Sequence, residues 1–260
     1  MIILSIFLIM IGLAVGSFLN VVIYRLPRGY SFWSPASHCP QCKSPIRWYD
    51  NIPLLSFILL GGRCRNCHRP ISWRYPLVEG VTGFFFFLVF VLCCWKVFNF
   101  STMVYLVKQL FFICLLIPTF FIDLEHQIIP DSISYTMIVS GIIFSIIQRF
   151  FYSSILGVAS GALIFLVIYY ISLLFLRQPG MGVGDIKIAA GIGAYLGWKL
   201  SLLAFFLSFF IGAVAASFFI LFGLKKMRDK VPFGPFLVTG AFIALFFGRR
   251  LTEIYFYFFW

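Results

Sequence analysis

Between Gly83 and Cys94, and again between Ser201 and Phe222, the chain carries no charged residue and no alternation of polar with apolar positions. Runs of this kind recur along the sequence, separated by short polar breaks. About 18 or more apolar residues are needed to carry an α-helix across a hydrocarbon core of about 30 Å. Eight candidate spans result, at residues 2–24, 77–95, 103–122, 133–148, 154–176, 186–198, 201–223 and 233–248, of which 186–198 is the shortest. A transmembrane β-barrel would instead show alternating segments of about ten residues, so that fold is disfavoured. Composition agrees: 62% of the 260 residues are hydrophobic and 11% are charged, more apolar surface than a soluble domain could hide from water. The fold class expected is an all-α polytopic membrane protein of about eight transmembrane helices.

The formal net charge of +12 would fit a nucleic-acid partner if the basic residues formed one patch. They do not. With the amino terminus outside, 14 of the 20 lysines and arginines fall in segments on the inner side, most of them in the long loop 25–76. That asymmetry is the positive-inside signature and puts this loop in the cytoplasm, where its charge also meets anionic lipid heads. A nucleic-acid partner is therefore not expected. Residues 2–24 have no basic residue before the apolar core and no small-residue cleavage pattern before Arg25, so they read as a retained span rather than a signal peptide. The expected organisation is a first transmembrane helix (1–24), a cytoplasmic four-cysteine loop (25–76) and a membrane core (77–260), with the aromatic tail from Leu251 to Trp260 at the outer interface.

The loop holds Cys39-Pro-Gln-Cys42 and Cys64-Arg-Asn-Cys67, two CxxC pairs with 21 residues between them. Each pair sits on a short turn that aims two thiolates at one point, and two such turns build a tetrahedral four-sulfur zinc site. Two disulfides are the alternative, opposed by the reducing cytosol. Four thiolates leave no open position for water, so the metal is expected to be structural, stapling a loop too small for a full core. His38 and His68 adjoin the cysteines without being needed as ligands. Cys93, Cys94 and Cys114 lie in apolar spans and read as packing residues.

Only eight acidic residues exist: Asp50, Glu79, Asp123, Glu125, Asp131, Asp185, Asp229 and Glu253. Asp123 follows the apolar run that ends at Ile122, at the end of the third span, and Asp185 closes Gly182-Val-Gly-Asp185 at the start of the sixth, so both belong at the cytoplasmic ends of their helices. A carboxylate near hydrocarbon costs on the order of 2.5 to 3.5 kcal/mol, which asks for a function or a partner. Two aspartates meeting across a cavity share one proton: one acts as base toward water while the other polarises a carbonyl and protonates a leaving amine. Gly182 and Gly184 remove side-chain bulk beside Asp185 and would let a substrate backbone approach. Asp185 and Asp131 also read as helix N-caps, Glu79 as a partner of nearby arginines, and Glu125 and His126 either as neighbours that tune Asp123 or as a solvated loop pair.

These elements resemble the type IV prepilin leader peptidase family, aspartyl proteases of the GxGD class. The resemblance rests on Gly16-Ser-Phe-Leu-Asn-Val-Val-Ile-Tyr-Arg-Leu-Pro-Arg28, the cysteine pairs, Asn51-Ile-Pro-Leu-Leu-Ser56, Arg74-Tyr-Pro-Leu-Val-Glu79, Phe121-Ile-Asp-Leu-Glu-His-Gln-Ile-Ile-Pro-Asp131, Gly180-Met-Gly-Val-Gly-Asp-Ile-Lys187 and Pro232-Phe-Gly-Pro-Phe-Leu237. It implies that Asp123 and Asp185 are the catalytic pair of an inner-membrane endopeptidase cutting the basic leader from type 4 prepilins and secretion pseudopilins at the cytoplasmic face. It further implies N-methylation of the new amino terminus with S-adenosylmethionine, although no sequence feature marks a site for that donor. Where the family often carries an acidic residue before Gly180, this chain has Gln178-Pro179. A basic leader would find Asp50, Glu79 or anionic lipid rather than the loop's arginines. The rival expectations are a cation-coupled transporter or channel using the two aspartates, and a non-catalytic assembly scaffold.

Overall fold

The computed structural model describes residues 1–31, 37–94, 99–178, 180–224 and 231–259. Lys96, Lys225, Lys226, Arg228 and Lys230 of the charge asymmetry, together with Asp229, Pro179 and Trp260, lie outside the described residues. Among the described residues the regular structure is helical, with two isolated β-bridges and no strand. The helices are α1 (Ile2–Arg25), α2 (Leu55–Leu59), α3 (Arg74–Cys94), α4 (Phe100–His126), α5 (Asp131–Ile147), α6 (Phe151–Leu176), α7 (Val183–Leu221) and α8 (Gly234–Phe259). Six of them, α1, α3, α4, α6, α7 and α8, are long and apolar enough to cross a membrane, and α5 is a shorter apolar helix. Helix is the form expected where lipid offers no hydrogen bonds to the backbone, because each helical segment satisfies its own N–H and C=O groups.

The chain divides into two compact units, Met1–Pro118 and Thr119–Trp260. In the first, α1 and α3 pack antiparallel through small residues. A Cβ at Gly12 would come within 2.8 Å of the Gly83 Cα, and one at Gly16 within 2.7 Å of the Glu79 Cα. Lipid tails are as apolar as the helices they surround, so helix association depends on such backbone approach rather than on hydrophobic burial. The four-residue spacing of Gly12 and Gly16 was a signal in the sequence that apolarity alone did not reveal.

In the second unit α7 is two helical segments divided at Gly197, whose backbone is non-helical (φ 73°, ψ 170°). The apolar runs 186–198 and 201–223 correspond to these two segments, with the break slightly earlier than the sequence suggested. The first segment lies against α5 and α6: Gly141 touches Ala194 and Tyr195, Gly161 approaches the Ala189 carbonyl, and Gly157 and Gly193 meet backbone to backbone. The Ser154 hydroxyl donates to the Ala194 carbonyl at 2.8 Å. The second segment runs antiparallel to α8, with Leu200 and Leu203 beside Gly248, Ser208 beside Gly240, and Gly212 beside Phe233 and Phe236. Phe165, fully buried on α6, stacks with Phe209 at 5.6 Å and meets Phe205 and Phe233 edge-on or tilted.

Gly197 combines a left-handed backbone with a Cβ position that would overlap the Ser153 hydroxyl. Gly197→Ala is expected to cost about 1 to 3 kcal/mol and to lower the thermal midpoint in detergent. Gly80→Ala, on α3 with nothing within 4 Å of its Cβ position, is expected to leave that midpoint unchanged or raise it slightly.

Candidate active site and metal centre

Asp123 and Asp185 both belong to the second unit. Asp123 stands one turn before the end of α4, and Asp185 is the third residue of α7. Both are buried, with 5% and 8% of their surface exposed. The first residues of a helix have backbone N–H groups without intrahelical acceptors, and here those groups are turned to the two acids. The Gly234 N–H at the head of α8 donates to Asp123 Oδ2 at 2.9 Å, and the Gly182 N–H before α7 donates to Asp185 Oδ2 at 3.1 Å. The first bond ties the end of α4 to the start of α8, and the second is local to the start of α7.

Asp185 is not the N-cap of α7: Gly182 takes that position, and Asp185 reaches back to the cap N–H from the third helical position. Asp131 is likewise the first helical residue of α5 rather than its cap, which is Pro130, and its carboxylate pairs with Lys187 Nζ at 2.6 Å. That ion pair joins the starts of α5 and α7, two residues beyond Asp185. Gly184 is half-buried, and a Cβ there would come within 2.9 Å of the Ile129 Cβ, so its missing side chain accommodates Ile129. Gly182 is exposed. Gly234, quoted within Pro232–Leu237 but given no role from sequence, has a Cβ position 2.5 Å from Asp123 Oδ2. Its local sequence signal is the Gly-Pro step that opens α8.

In the first unit the four loop cysteines come together, their sulfur atoms all within 4.8 Å of one another. None is in a disulfide. The Cys39 and Cys67 sulfurs are 3.9 Å apart and those of Cys42 and Cys64 are 4.0 Å apart. Tetrahedral zinc with Zn–S bonds of about 2.3 Å places its sulfurs about 3.8 Å apart, so this donor set fits the ion. The two turns are built alike. In one the Cys39 N–H reaches the Ser44 carbonyl and the Lys43 N–H returns to the Cys39 carbonyl; in the other Cys64 pairs with Arg69 and His68 with Cys64, all at 2.9 Å. Lys43 and His68 both take a positive φ, 57° and 53°, immediately after the second cysteine of each pair. His38 and His68 stay outside the sulfur set. The Ser44 hydroxyl and N–H beside Cys42 hold its thiol down at about 6, and the N–H groups of Cys67 and Asn66 lower Cys64, which favours the thiolates a metal requires. Arg65 grips Asp50 through two nitrogens at 2.6 to 3.1 Å. Glu79 takes the Leu54 N–H at 2.9 Å instead of the arginine expected from sequence.

Metal analysis of the purified protein is expected to find one tightly held zinc per chain, lost in Cys42→Ser and in Cys64→Ser. Chelation should expose the loop to protease while Thr119–Trp260 stays resistant, because the metal organises the first unit's loop only. Full retention of zinc in both variants would rule out the four-sulfur site.

Residues 10–93 match the family described as the bacterial peptidase A24 N-terminal domain, and residues 110–217 match the type IV leader peptidase family. Among curated proteins, the chain is 33% identical over 272 residues to the prepilin leader peptidase/N-methyltransferase of Aeromonas hydrophila, covering 94% of this chain and 91% of that one. It is 41% identical over 197 residues to the protein of the same name from Myxococcus xanthus, covering 75% of this chain and 57% of the relative. The Legionella pneumophila protein of that name is 34% identical, with 94% and 91% covered. No solved structure matches. With two family regions in order along the chain and relatives of this identity over nearly its full length, the chain belongs to the type IV leader peptidase family.

Proposed function

We propose that this protein is a membrane aspartyl endopeptidase that removes the short basic leader from type 4 prepilins and pseudopilins, and then methylates the amino terminus it has exposed. The observation that carries the reading is the presence of two buried aspartates at helix ends, each oriented by a backbone N–H, within the residues that the peptidase family matches. Relatives matched over 94% of this chain are named for both reactions.

In this reading one carboxylate of the Asp123–Asp185 pair takes a proton from water as the oxygen attacks the scissile carbonyl. The protonated partner donates to the carbonyl oxygen. Collapse of the tetrahedral intermediate expels the new amine, which receives a proton from the pair, so no covalent enzyme intermediate forms. The Gly234 and Gly182 N–H groups fix the carboxyl orientation, and Gly182 and Gly184 border the groove for the substrate backbone. The charge asymmetry of the sequence, heaviest in loop 25–76, supports a cytoplasmic active site in a bacterial inner membrane, and zinc on Cys39, Cys42, Cys64 and Cys67 would be the loop's structural staple. S-adenosylmethionine supplies the methyl group.

Cleavage of a prepilin by the purified protein is expected to fall by about 10²- to 10⁴-fold or more in both Asp123→Asn and Asp185→Asn. Methylation of an already cut peptide should persist in both, since the second reaction does not use the pair. Undiminished cleavage in either variant would discard the dyad, and an ion flux abolished by the same changes in protein that never cuts would favour a transporter. Gly234→Ala pushes on the Asp123 carboxyl, and a displacement approaching 1 Å is expected to slow cleavage by about 10²-fold with little change in peptide affinity.

A further inference from the structure

The short helix α2 is inside out for a segment facing water. Leu55, Ile58 and Leu59, at positions i, i+3 and i+4, share one face and are exposed, Ile58 by 72% and Leu59 by 74%. The buried residue of this helix is Ser56, whose hydroxyl donates to the Ile52 carbonyl at 2.7 Å. Apolar residues exposed singly are ordinary, but a contiguous set marks a surface that something covers. Here the set continues: the Phe57 and Trp73 rings meet at 5.0 Å, and Trp73, 76% exposed, is the residue before Arg74 opens α3. An open groove of about 1010 Å³ is walled by Leu54, Phe57, Ile58, Ile71, Trp73 and Pro76.

The surroundings of the groove say what fills it. Trp73 and Pro76 belong to the start of α3, which is long and apolar enough to cross a membrane, so the groove adjoins the level at which that helix leaves the bilayer. Tryptophan is favoured at that level. The charged member of the wall is Arg63, and its guanidinium has no hydrogen bond, ion pair or ring partner among the described residues. Its neighbours on the same turn are committed, Arg65 to Asp50 and Arg69 to Gln41. An unpaired guanidinium beside an apolar wall matches a phosphate carried on an acyl chain, and it repels a basic peptide leader.

We propose that this groove holds an anionic phospholipid of the bilayer that α3 enters, with an acyl chain against Phe57, Ile58 and Trp73 and the phosphate on Arg63. The cysteine loop is thereby docked on the membrane surface through α2. Without the lipid, Leu55, Ile58 and Leu59 would stand in water, and that cost keeps the loop down.

The test uses full-length protein, with a photoreactive amino acid in place of Ile58, reconstituted in phosphatidylcholine vesicles containing about 30% phosphatidylglycerol. Irradiation is expected to attach phospholipid at that position, with phosphatidylglycerol captured at least about fivefold above its share of the vesicle lipid. Adding Arg63→Glu is expected to abolish that enrichment while helix content and elution volume stay as they were. In protein that keeps Ile58, phosphatidylglycerol with a photoreactive acyl chain is expected to mark the peptide carrying Trp73, which decides the matter even if the substituted chain folds poorly. Capture of added prepilin, or of a second copy of the chain, in preference to lipid would overturn the proposal. So would acyl-chain labelling confined to the membrane helices with none in the loop. Phospholipid captured without regard to headgroup, with and without Arg63→Glu, would refute the assignment to an anionic lipid.

Discussion

Because lipid cannot hydrogen-bond a peptide group, each membrane segment of this chain is a helix that consumes its own backbone polarity, and unspent backbone donors occur only at helix ends. The candidate chemistry is placed where that constraint allows. The Gly234 N–H at the start of α8 and the Gly182 N–H before α7 have no intrahelical acceptor, and each is turned to a carboxyl group that would otherwise lie buried without a partner. The same hydrogen bonds that settle the helix ends hold Asp123 and Asp185 in fixed orientations. Orientation and helix capping are one set of contacts here, so neither acid can be moved without loosening a helix end.

Glycine has a second role in the same unit. Helices in lipid gain little from burying apolar side chains against one another, so their association is governed by how closely backbones approach. Gly157 meets Gly193, Gly161 meets the Ala189 carbonyl, and Gly240 meets Ala204 and Ser208. These contacts fix the first segment of α7 against α6 and the second against α8, and the left-handed backbone at Gly197 is what lets one chain supply both. Gly234 reaches Asp123 from 111 positions away along the chain, through tertiary packing rather than anything local to the two residues.

The first unit solves a different problem. Its loop is too short for a core of its own, and the paired turns at Cys39–Cys42 and Cys64–Cys67 replace that core with four converging sulfurs. A loop held in this way can form one wall of a cavity whose other walls are α1 and α3. Small residues at Gly12 and Gly16 bring those two helices together, and the same approach sets Asn20 and Glu79 in the cavity wall.

The sequence by itself determined the solvent of the chain, the helical class, the eight apolar segments and the four-sulfur cluster. Each of these is written in local terms: hydrophobic length, a CxxC turn, the scarcity of acids. Asp123 and Asp185 could be singled out for the same reason, since a carboxylate beside an apolar run is conspicuous wherever it lies. Tertiary structure alone decided what those residues meet. The partnership of Asp123 with a glycine N–H 111 positions away, the replacement of an arginine by Leu54 at Glu79, and the turn of Asp131 toward Lys187 all depend on which helix faces which. Periodicity records that a residue is buried or at a helix end, but hydrogen bonds are short-ranged and directional, so their partners are fixed only when the backbones have packed.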